Sequence, residues 1–146
     1  MTSGVVEQRL RYFLLIVSGT ICVGTIAELL LTKHTQTPVQ FIPYALCGLG
    51  VVAVGAALLF PQRATLFGLR IVMVIVTCGS LFGIYEHLQN NWQFAMEITP
   101  GAPLGEVIIA TLKGANPLLA PGILALAASL ALAATYYHPA LHKPTT

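Results

Sequence analysis

The chain has 146 residues, 56 % of them hydrophobic and only 8 % charged, with a mean hydropathy of +0.81. A water-soluble domain carries charge on roughly a quarter of its residues, so this composition excludes one and belongs to a protein whose surface meets lipid. Seven Lys and Arg against five Asp and Glu leave a formal charge of +2, and no basic run is long enough to follow a phosphate backbone, which excludes nucleic acid as a partner.

Arg9 and Arg11 precede an apolar run from about Tyr12 to Thr32 that is interrupted only by Glu28. At 1.5 Å per residue this run crosses a hydrocarbon core of ~30 Å. No A-x-A cleavage site follows it, and the bulky Ile21 before Cys22 spoils a lipobox, so the segment reads as a retained first span. A second span runs from about Val39 to Phe60, uncharged throughout and closed by Pro61. The third, about Ala64 to Leu88, carries Arg70 one to two turns inside its start, where the side chain can snorkel to headgroups, and Glu86 and His87 at its finish.

Residues 89 to 115 read as an outer loop. Within it Leu104, Val107, Ile108 and Leu112 fall at helical spacing between Pro103 and Gly114, which predicts a short interfacial helix over Leu104 to Leu112. Trp92 and Phe94 are expected to anchor the extended chain before it. A fourth span runs from about Asn116 to Tyr137, with Pro117 and Pro121 in its first turns, where the missing N–H costs little, and Tyr136, Tyr137 and His138 at its end.

The expected fold is therefore all-α: a single integral membrane four-helix bundle, up-down-up-down, with a short interfacial helix in the last outer loop. Arg9, Arg11, Arg63, Arg70 and Lys143 then share one side against Lys33 and Lys113 on the other. This five-to-two bias predicts that both termini are cytoplasmic, by default at a bacterial inner membrane. His138 and His142 fall in the cytoplasmic tail.

Cys22, Cys47 and Cys78 each sit in an apolar stretch with no C-x-x-C pair and no zinc-type spacing, and read as packing residues. Helices associate in lipid through small residues four apart. Gly79 and Gly83 supply such a pair on span three; span four has Ala127 and Ala131 on one stripe and Ala125, Ser129 and Ala133 on another, and span two has Ala53 and Ala57 beside Gly48 and Gly50. These read first as ordinary packing faces within one bundle; the sharper reading, that at least one stripe faces another subunit, rests on three such stripes exceeding what one four-helix interior requires.

Ionisable groups near a span are the first functional candidates. The alternating path brings Glu28, Lys33, His34, Glu86 and His87 to one outer corner. Two imidazoles and two carboxylates suit a divalent metal such as Zn²⁺ or Cu²⁺, or a proton relay. The competing reading is a set of interfacial residues solvated by headgroups. Adjacent Glu86 and His87 point about 100° apart on a helix, so one of them at most should face span one. Haem ligation through His87 is a weaker fit, because every His lies at a span end.

No G-x-S-x-G, H-E-x-x-H or P-loop is present, so the chain is expected not to be an enzyme and no cofactor is expected outright. The leading expectation is a non-enzymatic accessory or structural subunit of a larger membrane complex, with the lipid bilayer and other membrane subunits, or a second copy, as partners. The alternative is a small transporter or a proton- or divalent-cation-responsive protein that uses the Glu28, His34, Glu86 and His87 corner. A redox subunit touching haem or quinone through His87 and Trp92 is the lesser one.

Overall fold

The computed structural model describes residues 3–141; His142 and Lys143, placed by the sequence in the C-terminal flank, lie outside the described residues. Every regular element is helical: α1 (Ser3–Leu31), α2 (Ile42–Leu59), α3 (Arg63–Ile98), α4 (Leu104–Leu112) and α5 (Leu119–Ala134), with short 3-10 turns at Pro38–Phe41 and Pro139–Leu141. Three segments are long and apolar enough to cross a membrane, Gly4–Leu31, Pro38–Leu59 and Arg63–Ile98. Their outward faces carry Phe13, Ile16, Val52, Phe67 and Leu81, all exposed, which suits a lipid surround rather than water.

α1, α2, α3 and α5 share one buried cluster. Leu15 and Cys22 enter from α1, Cys47, Val54 and Ala57 from α2, Leu69, Met73 and Val76 from α3, and Ala127, Ala128 and Ala131 from α5. The alanines let α5 approach closely, and Ser18 donates to the carbonyl of Ala127 at 2.8 Å across the α1/α5 contact. Cys22 and Cys47 are fully buried as expected, whereas Cys78 is exposed on the outward face of α3.

Three boundaries differ from the sequence reading. α3 does not stop near Leu88 but continues ten residues as helix to Ile98, so residues 89 to 98, including Trp92 and Phe94, are helical rather than extended loop. The polar run Gln89-Asn90-Asn91 reads as an exit from lipid, yet it leaves the helix intact. α5 is shorter than the expected fourth span: its 16 residues rise about 24 Å. It starts two residues after Pro117 and holds Pro121 in its first turn, and Tyr137, at φ 46°, turns the chain away soon after its end. α1 begins at Ser3, nine residues before the apolar run, and Glu7 and Arg11 lie one turn apart on it at 3.9 Å. α4 occupies the expected Leu104–Leu112 and buries Val107 and Thr111 against α3.

The glycine pair on α3 is used inside the molecule. A Cβ on Gly79 would meet Leu46 Cδ1 of α2 at 2.3 Å, and one on Gly83 would meet Pro121 of α5 at 2.9 Å. Gly79→Ala should therefore cost about 1–3 kcal/mol of overpacking, and Leu46→Ala in the same chain should recover part of that loss in a thermal melt. Losses that simply add would show that the two side chains do not compete for the space. Of the α5 stripes, Ala127 and Ala131 are buried, while Ser129 and Ala133 are exposed and Ala125 is half-buried.

Arg70 does not snorkel. Its Nε donates to Thr135 Oγ1 and its guanidinium NH2 to the Thr135 carbonyl, both at 2.9 Å. Arg11 donates to the carbonyls of Ala134, Tyr136 and Tyr137 at 3.2, 2.9 and 3.2 Å. The last carbonyls of a helix lack intrahelical donors and carry the negative end of its dipole, so two arginines from α1 and α3 close the C-terminus of α5.

Candidate functional site

At the opposite end from this arginine cap, α1 stops in a Schellman turn. Lys33 takes the left-handed conformation (φ 51°), the His34 N–H donates to the Leu29 carbonyl at 3.0 Å and the Lys33 N–H to that of Leu30 at 3.2 Å. The turn places His34, half-buried, over the gap between α1 and α3. A cleft of about 630 Å³ occupies this gap, walled by α1, α2, α3 and the start of α5. Glu28, His34, Glu86 and His87 all line it, so the four residues singled out from the sequence do converge. Lys33 is not among its lining residues. Both Glu86 and His87 reach the cleft, although the 100° offset predicted that only one would.

The histidines have distinct environments. Burial pushes the pKa of His34 down from its ordinary value of 6.5, and the neighbouring His87 lowers it further. His87 Nδ1 lies 2.9 Å from the Pro117 carbonyl. A carbonyl can only accept, so Nδ1 carries the proton and Nε2 is the ring nitrogen left for another partner. This contact follows from the sequence of α5. In a continuing helix the Pro117 carbonyl would receive the N–H of residue 121, but residue 121 is proline; the carbonyl takes the Ala120 N–H at 3.3 Å instead and His87 as a second donor.

Asn91, one turn further along α3 and buried, completes the same junction. Its amide donates to the carbonyls of Thr111 (3.1 Å) and Asn116 (2.9 Å), and its Oδ1 accepts from the backbone and side-chain N–H groups of Asn116, both at 3.0 Å. Gly114 packs so closely that a Cβ there would lie 2.3 Å from Asn91 Cγ. The sequence reading missed Asn91. An asparagine in the middle of a helix forfeits helix propensity, and that local mismatch was the one available signal.

No three His, Cys, Asp or Glu residues among those described are grouped to hold a metal ion. The cleft thus gathers the predicted ionisable groups at a spacing looser than coordination needs. Three of its hydroxyls are already committed as donors: Thr25 to the Ile21 carbonyl (2.9 Å), Thr32 to the Glu28 carbonyl (2.9 Å) and Ser80 to the Pro121 carbonyl (2.5 Å). Their lone pairs and the carboxylates of Glu28 and Glu86 add acceptors to a lining that also holds the Thr37 hydroxyl and the amides of Gln40, Asn90 and Asn116.

The depressed pKa of His34 has a stability consequence. A folded-state value below the unfolded one means that the unfolded chain binds more protons in the window just beneath pH 6.5. Stability should therefore rise with pH through that window and flatten above it. His138, lowered by burial and then by Arg11, adds in the same direction. The double variant His34→Gln/His138→Gln should show a shallower rise in melting temperature between about pH 5 and 7; an unchanged slope would assign the effect to other groups.

No family model, curated protein or solved structure matches the chain. The chain is a helical protein with three helices suited to membrane spans and a polar cleft at one end of its core.

Proposed function

We propose that the chain is a small multi-pass membrane protein of four spans, up-down-up-down, that handles a proton or a small cation in the cleft between α1 and α3, as a transporter or an ion-responsive protein. The carrying observation is the convergence of Glu28, His34, Glu86 and His87 on one cavity from two separate stretches of chain, the end of α1 with its turn and the middle of α3. Carboxylates and imidazoles beside lipid-facing helices are costly to keep unless they serve a solute. In this reading α5, with the turns flanking it, serves as the fourth span, both termini face the cytoplasm, the cleft opens to the outer side and α4 lies at the outer interface.

Reconstituted in vesicles, the wild-type protein should move protons or a cation in a pH-dependent way, and Glu28→Gln and His87→Ala should each reduce that flux at least about tenfold, the loss expected when a charged or donor group is removed from its ligand. Equal flux in all three proteins would remove this reading.

A second reading, an accessory subunit of a membrane complex, is favoured by the outward Ala125, Ser129 and Ala133 stripe, which the chain's own core leaves unused. It predicts a partner chain on native mass spectrometry of protein drawn from its own membrane, released by Ser129→Leu. A mass of one chain alone would count against it.

A further inference from the structure

The cleft is graded along its depth. Its mouth is polar, with Glu28, His34, Glu86 and Asn116, and its inner end is lined by Leu46, Leu124 and Gly79, with the Ser80 hydroxyl there bonded to the Pro121 carbonyl. The register on α3 makes this plain: Asn90, His87 and Glu86 come first, and Gly83, Phe82 and Gly79 follow one to two turns further in. No Lys or Arg among the described residues lines the cavity, whose formal charges are the two carboxylates Glu28 and Glu86.

Resting on the cleft as the functional site, we propose that its ligand is an amphipathic monoamine: a primary ammonium head held at the mouth by Glu28 and Glu86, and a single apolar tail lying inward against Leu46 and Leu124. An N–H-bearing head can donate to the two carboxylates, which only accept when ionised, and to the lone pairs of the committed hydroxyls. A quaternary ammonium would instead call for an aromatic cage, and Phe82 is the one aromatic residue in the lining. A zwitterionic lipid headgroup would bring a phosphate next to its ammonium, with no cation in the lining to meet it. A diamine would have to bury its second charge against leucine. The cavity volume lies within the range of about 300–1,000 Å³ usual for small-molecule sites.

The test is calorimetric titration of the full chain in phosphatidylcholine nanodiscs, with empty discs subtracted, using hexylamine, hexan-1-ol, hexyltrimethylammonium, 1,6-diaminohexane and Zn²⁺. Hexylamine should saturate one site and bind at least about tenfold more tightly than each of the others, with Glu86→Gln weakening it by about tenfold or more. Should that variant fail to fold, the ranking of the probes on wild-type protein decides. Equal binding of hexanol would overturn recognition of the head. Equal or tighter binding of the quaternary amine, the diamine or Zn²⁺ would overturn the ligand class while leaving the cleft as a binding site. A tightly held phospholipid that blocks hexylamine would overturn the monoamine in favour of lipid. Absence of saturable binding by any probe, together with unaltered flux in Glu28→Gln and His87→Ala, would remove both the ligand class and the functional reading beneath it.

Discussion

Asn91→Ala will loosen the junction between α3, α4 and α5 and destabilise the chain by about 2–6 kcal/mol. The estimate takes four hydrogen bonds at a net ~0.5–1.5 kcal/mol each, with the carbonyls of Thr111 and Asn116 left without their side-chain donor. The loss should be local first. Hydrogen exchange of residues 104 to 118 should quicken before that of the core, because α4 packs on α3 alone among the helices. Gly114→Ala should reach the same state from the other side, since its Cβ would overlap the Asn91 side chain. In the Asn91→Ala background that second substitution should cost much less, and a double-mutant cycle reads the difference. Strictly additive losses would show that Asn91 and Gly114 act independently.

The second large effect lies at the other end of the core. Arg70→Met removes both donors to Thr135 and half of the cationic cap on α5, and is expected to cost about 2–3 kcal/mol, the range for hydrogen bonds from a charged group. Lysine at this position should recover only part of the loss, because a single ammonium cannot reproduce the forked contact to a hydroxyl and a carbonyl. Thermal melts in detergent, read alongside exchange of the amides from Ala131 to Thr135, will show whether the end of α5 frays. A melt unchanged in Arg70→Met would mean that Arg11 alone suffices for the cap.

How far these features could be read from sequence depended on the range of the physics involved. α4 was legible to the residue because its signals are local: Pro103 to start, an apolar stripe, Gly114 to stop. The cleft was legible because it needs only span order and the positions of four ionisable residues. The extent of α3 was not, since lipid crossing and helix formation are separate requirements and a polar stretch ends the first without ending the second. The roles of Arg11 and Arg70 were hidden for a related reason. Charges near a membrane boundary satisfy a topological preference whatever they touch, and their bonds to α5 join residues 65 to 126 positions apart. His87 lines the cleft at the end of its span, but its ring contacts Pro117, 30 residues later, which no spacing rule connects to it.

α3 carries Arg70 and His87 on one unbroken rod, about 26 Å apart along its axis. The first is fastened to the end of α5 and the second to its beginning. These two helices are thus laced together at both extremities, like adjacent staves, and cannot slide lengthwise past one another without breaking a bond at each end. α1 is tied to α5 through Ser18 and Arg11, and the turn bearing His34 has no such fastening to it. Any widening of the cleft is therefore cheapest as a swing of the α1 end and its turn away from a stiff α3/α5 plate, with Glu28 and His34 as the travelling jaw and Glu86 and His87 as the fixed one.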